Sequence, residues 1–350
     1  MKYSRLPVQL PRNLSHWIKR EPGWILPNLL LTYACTQDCM QCSIPQRASK
    51  EMTLSTENLE LITRKLKKFG TQGLSISGGD PLAHPYLLEY LDFLVSQKFA
   101  FLHLLTNLHA PDEKISLLAE YIVRNGIHLT TSFDGFGEIA DKIRGGDGVS
   151  DKVIKGIYKV HEANQKSRKK IQTRATVVIS QLNLDQVPEI LNFFEKIHWE
   201  VTIDIYRFSS VNHIDSDELH IRDMVKLEQV LNHAAESPGV VTPRFLIKGF
   251  IPYLLGEYPK RCPYLDSPTL GSKFFIQPNG DVLVCKGGSV GNLLKQTPAE
   301  IIKSETWAKK MAEFHNCEGC WNPCYTTFSG ATPLVEMITR LKKVTKVRKS

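Results

Sequence analysis

From residue 29 onward the chain alternates short apolar runs with longer stretches in which apolar residues recur every three or four positions. The runs at 29–34, 73–77, 101–106, 128–133, 172–179 and 202–208 predict strands, and the amphipathic stretches near 55–69, 84–97, 112–124, 149–164, 184–196 and 222–235 predict helices. Local signals agree. Ser55 and Glu57 suit a helix start, Gly70 follows that helix, and Gly126 closes the third. Six strand–helix repeats imply an α/β fold on a parallel sheet, either doubly wound or curved into an open barrel. In both, functional groups collect at the carboxyl ends of the strands.

The polar clusters obey that rule. Cys35 follows the first strand, Gly78-Gly79-Asp80-Pro81 the second, Thr106 and Asn107 end the third, and Ser132 and Asp134 straddle the end of the fourth. After about residue 245 the pattern changes. Segments 274–277 and 282–284 predict a hairpin turning at Pro278-Asn279-Gly280-Asp281, because Asn-Gly favours tight turns. Residues 298–314 predict one helix, and a cysteine-rich segment follows.

The 42% hydrophobic and 23% charged content suits a globular core, not a disordered chain. The longest apolar stretches fall short of the roughly 18 to 20 residues of a membrane span. The basic N-terminus lacks the apolar core of a secretory signal, so a cytoplasmic location is expected. A net charge of +8 draws partly on the tail residues Arg340, Lys342, Lys343, Lys346, Arg348 and Lys349, which interleave with apolar positions. A solvated helix end is the plain reading of that tail, peripheral contact with anionic lipid the sharper one. No nucleic-acid partner is expected.

All eight cysteines fall into two sets, Cys35/Cys39/Cys42 and Cys262/Cys285/Cys317/Cys320/Cys324. In a reducing compartment such clustering reads as metal ligation, and two odd-numbered sets pair badly as disulfides. Three thiolates on one short loop can hold three irons of a cubane cluster and leave the fourth open to a reactant. The competing reading is a structural zinc or a reactive-thiol loop.

Cys35-x3-Cys39-x2-Cys42 after a first strand resembles the signature of the radical S-adenosylmethionine (SAM) superfamily. Gly78-Gly79-Asp80-Pro81 resembles that family's Gly-Gly-Glu-Pro segment, with Asp80 as a shortened carboxylate. Ser132-Phe133-Asp134-Gly135 followed by Asp141-Lys142-Ile143-Arg144-Gly145 resembles the fourth-strand region of members with C-terminal clusters. Gln41 stands where an aromatic residue often meets the adenine, so the resemblance assigns residue 41 no such contact. The resemblance implies a partial (β/α)6 TIM-type barrel and a [4Fe–4S] cluster on Cys35, Cys39 and Cys42 that binds SAM. It also implies SAM contacts from Gly78, Gly79, Asp80, Pro81, Asn107, Ser132 and Arg144, and from Asn183 by position.

Cys262, Gly280-x4-Cys285 and Cys317-x2-Cys320-x3-Cys324 resemble the C-terminal SPASM module or its shortened twitch form. That implies a small α+β iron–sulfur module holding one auxiliary [4Fe–4S] cluster on Cys262, Cys285, Cys317 and Cys320. Cys324 would replace one of these or move a proton, and a zinc ribbon is the alternative. The expected organisation is an extension at 1–28, a barrel at 29–240, the module at 245–330 and a basic tail at 331–350.

The implied function is reductive cleavage of SAM to a 5′-deoxyadenosyl radical that abstracts a hydrogen from an unactivated C–H bond, with the auxiliary cluster as electron acceptor. The expected substrate is a peptide or protein side chain. A small metabolite of aminocyclitol, tetrapyrrole or nucleotide type is the enzymatic alternative, and an iron–sulfur or zinc scaffold protein the non-enzymatic one. The short stretch before Cys35 weighs against a separate peptide-recognition domain in front, and the Arg348-Lys349-Ser350 ending against a nucleotide cyclase. A flavodoxin or ferredoxin is the expected electron donor. Asp204, Tyr206 and Arg207 near the sixth strand's end are candidates for substrate contact or acid–base work. Trp321, between cluster cysteines, is expected to shield the cluster, and Trp17 and Trp24 to cap the barrel's amino end.

Overall fold

A computed structural model of the chain describes residues 26–44, 52–207, 214–257, 274–285, 288–317 and 321. Six strands, β1 (Asn28–Leu30), β2 (Gly73–Ser77), β3 (Phe101–Thr106), β4 (His128–Ser132), β5 (Thr173–Ile179) and β6 (Glu200–Ile205), run parallel in sequence order. Helices α1 (Thr56–Phe69), α2 (Leu87–Ser96), α3 (Asp112–Asn125), α4 (Gly137–Arg144), α5 (Val149–Lys166) and α6 (Val187–Lys196) lie between them. Beyond β6 come α7 (Met224–Glu236), α8 (Arg244–Lys248) and α9 (Phe250–Leu254). The parallel α/β sheet expected from the repeats is observed, in the partial-barrel form that the resemblance implies.

Local chemistry sets the element ends. Ser55 caps α1 by accepting from the Asn58 N–H, and Gly70 and Gly126 close α1 and α3 in the left-handed conformation. The strands alternate faces. Leu74, Ile76, Leu104, Leu129, Val177 and Ile203 point outward and are fully buried under helix residues such as Leu59, Ile62, Leu66 and Ile122. Each such side chain contributes roughly 1.5–3 kcal/mol of burial. The other face carries Asn28, Ser77, His103, Thr130, Arg174 and Thr176. Deep in it His103 meets Thr130 Oγ1 at 2.8 Å, and burial followed by the nearby Arg174 pushes its pKa down to about 3, leaving a neutral imidazole.

Three local readings change. The first strand is shorter than the apolar run 29–34: Leu31 still donates to Ser77 O of β2, and the chain also pairs with 52–54, Tyr33 donating to Met52 O and Leu54 to Leu31 O. Helix α4 was not anticipated, since its eight residues make barely two turns inside what reads as a loop. The single helix at 298–314 is two, α10 (Pro298–Ile302) and α11 (Glu305–His315), because Ser304 caps the second by accepting from Trp307 N–H.

The hairpin of β7 (Phe274–Ile276) and β8 (Asp281–Val284) turns at Gly280, as the Asn-Gly signal predicts. It extends the barrel's own sheet. β7 pairs parallel to β1 with Asn28 opposite Phe275, and β9 (Gly291–Asn292) completes a nine-stranded order β6-β5-β4-β3-β2-β1-β7-β8-β9. Lys65 of α1 fastens this edge by donating to the carbonyls of Leu293 at 2.7 Å, Gln296 at 3.1 Å and Leu294 at 3.2 Å. Trp307 stacks on Phe274 beneath the hairpin.

Candidate active site

The cysteine loop is clamped from both sides by backbone. On one side Gly79 N–H donates to Thr32 O at 2.7 Å and Asp80 N–H to Ala34 O at 2.8 Å. A Cβ on Gly79 would lie 2.4 Å from Ala34 O and 2.5 Å from Tyr33 O, so the paired glycines let the β2 loop touch the main chain leading into Cys35. On the other side the carboxyl end of α4 receives the loop: Met40 N–H donates to Ile143 O at 2.9 Å and Asp38 N–H to Arg144 O at 3.2 Å. Gly145, in the left-handed conformation, leaves room for Asp38 O.

Asp80 is consumed by the rim itself. Its buried carboxylate accepts from Asn107 N–H at 2.5 Å, Leu82 N–H at 2.7 Å and the Thr106 hydroxyl at 2.9 and 3.1 Å, tying the β2 loop to the end of β3. Burial outweighs those hydrogen bonds and pushes its pKa up to about 6. Asn107, so positioned, directs its amide to Thr36 Oγ1 at 3.4 Å and Cys35 Sγ at 3.7 Å.

A second buried network stands opposite. Asp134 bonds Arg144 Nη2 at 2.6 Å, accepts from Gln41 Nε2 at 3.1 Å and from Val178 N–H at 2.9 Å, and Asn183 holds its backbone carbonyl at 2.8 Å. The other Arg144 nitrogen, Nη1, lies 3.9 Å from Cys39 Sγ. The SFDG and DKIRG segments therefore meet as one ion pair beside the cysteines.

Cys35, Cys39 and Cys42 share a cavity of about 320 Å³ with Gln41, Gly78, Gly79, Asp80, Asn107, Ser132 and Arg144. Its volume is in the range of small-molecule sites. Burial pushes the Cys35 thiol up to about 12, and burial likewise raises Cys39, partly offset by Arg144. Such thiols become thiolates when a metal takes the proton's place. Three thiols lining one cavity, with an arginine beside them to offset negative charge, fit a cluster. The cradle beyond them fits its ligand.

The C-terminal hairpin lines the same cavity with Phe275, Leu283 and Cys285, Phe275 standing beside Asn28 in the sheet. Sequence reasoning missed Asn28, Phe275 and Leu283. The period-two alternation of the hairpin marks Phe275 and Leu283 as one face, but only its pairing with β1 turns that face inward.

Several expected residues stand elsewhere. Pro81 begins a short turn beside the cavity and does not line it. Asp204 and Arg207 pair with each other at 2.5 and 2.9 Å, and the Tyr206 hydroxyl donates to Ile214 O and accepts from Ser216 N–H, so it pins the segment after β6. None of the three lines the cavity. Asn183 acts through Asp134 and does not line it either. Cys317 is exposed just after α11. Trp321, expected as a shield, donates to Leu246 O at 2.7 Å and packs on Gly249 and Phe245, anchoring its segment to α8. Cys262, Cys320, Cys324, Trp17, Trp24 and the tail 331–350 lie outside the described residues. Among the described residues no helix is long and apolar enough to cross a membrane.

Comparison with known proteins agrees with this geometry. The Radical SAM superfamily profile matches residues 29–194, and the SPASM iron–sulfur cluster-binding domain matches residues 268–325, which leaves Cys262 just outside. The chain is 26% identical over 280 residues to the PqqA peptide cyclase of Bradyrhizobium diazoefficiens, covering 73% of this chain and 65% of that one. It is 25% identical over 198 residues to the Fe-coproporphyrin III synthase of Methanosarcina barkeri, covering 56% and 47%. The match thus spans less than two thirds of either relative. Among solved structures, anSMEcpe with bound AdoMet and a Cp18Cys peptide superposes with a TM-score of 0.61 at 17% identity, covering 83% of this chain and 82% of that one. On the cysteine cradle and these matches together, the chain belongs to the radical SAM superfamily, with a C-terminal SPASM domain, and its cofactors are a SAM-binding [4Fe–4S] cluster and auxiliary iron–sulfur chemistry.

Proposed function

We propose that this protein is a radical SAM oxidoreductase that abstracts hydrogen from a side chain of a ribosomal peptide or protein and passes the second electron to an auxiliary cluster. One observation carries the reading: Cys35, Cys39 and Cys42 share a single cavity with Cys285, Phe275 and Leu283. A substrate in this cavity lies within reach of both the Cys35–Cys42 loop and Cys285.

When bound, the cofactors supply reductive cleavage of SAM to methionine and a 5′-deoxyadenosyl radical, which takes a hydrogen atom from an unactivated C–H bond. The chain binds, orients and excludes water. Gly79, Ile143 and Gly145 hold the cysteine loop; Asn107 and Arg144 place hydrogen-bond donors at Cys35 and Cys39. Phe275 and Leu283 add apolar surface to the cavity, which shields a reactive intermediate from water. Cys285, at the end of β8, is the described SPASM cysteine that lines this cavity.

The peptide assignment draws on the relatives: a PqqA peptide cyclase, a sporulation killing factor maturation protein, and anSMEcpe bound to a peptide. The tetrapyrrole reading draws on the Methanosarcina relative. The deciding experiment supplies reduced, anaerobically reconstituted protein with SAM and either ribosomal peptides or porphyrin carboxylates, reading 5′-deoxyadenosine and substrate mass. Peptide-dependent 5′-deoxyadenosine with loss of hydrogen from the peptide is expected. Formation with the porphyrin alone would replace the substrate class, and formation with neither would remove both assignments.

A further inference from the structure

Asn28 opens β1 and stands in a row that crosses four adjacent strands. Ser77 of β2 donates to its Oδ1 at 2.6 Å, Phe275 of β7 pairs beside it, and Leu283 of β8 pairs beside Phe275. All four side chains belong to the cavity that also holds the cysteine loop. The next residue, Leu29, is fully buried, whereas Asn28 keeps accessible surface. Alternate residues of a strand face opposite sides, and β1 has a neighbour on each edge, so the accessible surface of Asn28 opens onto the cavity.

Among the described residues Ser77 is the one partner of the Asn28 side chain. Turning the amide over exchanges its oxygen and nitrogen but leaves one of the two open in either case. The open atom is not sealed in protein, unlike Oε1 of Gln41. It is a neutral polar group held in place by Ser77 and flanked by the apolar Phe275.

The cavity around this row offers no free counter-charge. Besides the cysteines, the ionisable side chains that line it among the described residues are Asp80 and Arg144. Asp80 is 1% exposed and committed to Leu82, Thr106 and Asn107, and Arg144 is paired with Asp134 at 2.6 Å. A carboxylate or ammonium that left water here would stay unpaired, which is costly; an amide or hydroxyl would find a hydrogen-bonding partner in Asn28.

We propose that Asn28 is a specificity-determining residue: its open amide atom hydrogen-bonds an uncharged side chain of the substrate, while Phe275 and Leu283 pack on the aliphatic part. The proposal rests on the peptide reading above and narrows it to neutral side chains.

The test measures binding without turnover. Blocked peptides are selected from a randomised library on anaerobically reconstituted protein with SAM and no reductant. The selected peptides are then remade as near-isosteric pairs, Asn against Asp, Gln against Glu and Met against Lys, and titrated calorimetrically. Wild type is expected to bind the neutral member at least about tenfold more tightly at one position of the peptide. Asn28→Asp is expected to reverse the Met/Lys preference at that position and to weaken Asp and Glu further, a change of sign that mere loosening of the strand would not produce. Equal wild-type affinity within every pair, or a Met/Lys ratio unchanged in Asn28→Asp, would overturn the proposal and leave the peptide reading standing. Selection of no peptide would overturn both. If Asn28→Asp fails to retain iron, Asn28→Ala decides with the wild-type pairs: about tenfold weaker binding of the Asn peptide with the Met peptide unchanged supports the proposal, and equal loss for both overturns it.

Discussion

Replacing Gly79 with alanine perturbs the clamp on the cysteine loop where two main-chain carbonyls crowd it. The added Cβ would stand 2.4 Å from Ala34 O and 2.5 Å from Tyr33 O, both main-chain atoms that cannot rotate away. Ordinary carbon–oxygen contact begins near 3.3 Å, so the two backbones must separate by about 0.9 Å. That separation strains the Gly79-to-Thr32 and Asp80-to-Ala34 hydrogen bonds at 2.7 and 2.8 Å. Overpacking costs about 1–3 kcal/mol and each of the two hydrogen bonds about 0.5–1.5, giving a loss of about 2–6 kcal/mol. The melting temperature should fall on the order of 5–10 °C, and iron retained after anaerobic reconstitution should fall with it, because the displaced segment leads directly into Cys35. Gly70→Ala is the control. Gly70 has positive φ, at 101°, and a Cβ there meets nothing within 4 Å, so the substitution costs about 1 kcal/mol of backbone strain and leaves iron content unchanged. A Gly79→Ala protein with wild-type melting and wild-type iron would refute the clamp.

Other consequences are as direct. Because burial raises Asp80 to about 6 in the folded chain from an ordinary 3.8, its contribution to stability is full at low pH and lost as pH rises through 6. Apoprotein should lose about 1.4 kcal/mol between pH 5 and pH 8 that Asp80→Asn does not lose, read by denaturant unfolding at each pH. An identical pH profile in the two proteins would contradict this. Phe275→Ala should shift the ratio of products across a panel of peptides differing in one side chain, since it enlarges the apolar part of the cavity; an unchanged ratio would remove Phe275 from the pocket. Tyr206→Phe should speed proteolysis near residues 214–216 by removing the hydroxyl that pins them, while substrate selectivity stays as in wild type. A change in selectivity with no change in cleavage would restore Tyr206 as a substrate contact.

Much of the site was legible because its chemistry is local in sequence. Three cysteines in one loop, paired glycines after β2, and Thr106 and Asn107 at a strand end need only the rule that parallel strands gather their carboxyl ends. The role of each was less legible, since it depends on what the folded chain brings alongside. The Gly78-Gly79 pair reads as room for a ligand, yet its nearest neighbours are Thr32, Tyr33 and Ala34. Asp80 reads as a ligand contact, yet its carboxylate is committed to Thr106, Asn107 and Leu82. Asp204, Tyr206 and Arg207 looked available at the end of β6 because sequence cannot show that Asp204 and Arg207 neutralise each other. The hairpin was predicted correctly, but the face of Phe275 toward the cysteines arises from pairing with a strand almost 250 residues earlier. Long-range register of that kind leaves no local signal.

The most direct test of the account counts iron and 5′-deoxyadenosine in the same anaerobically reconstituted preparations. The account predicts about eight irons per wild-type chain and reductive formation of 5′-deoxyadenosine from SAM. Joint replacement of Cys35, Cys39 and Cys42 by alanine should leave about four irons and no 5′-deoxyadenosine. SAM cleavage that survives in the triple variant, or a wild-type chain holding zinc in place of the second cluster, would contradict it.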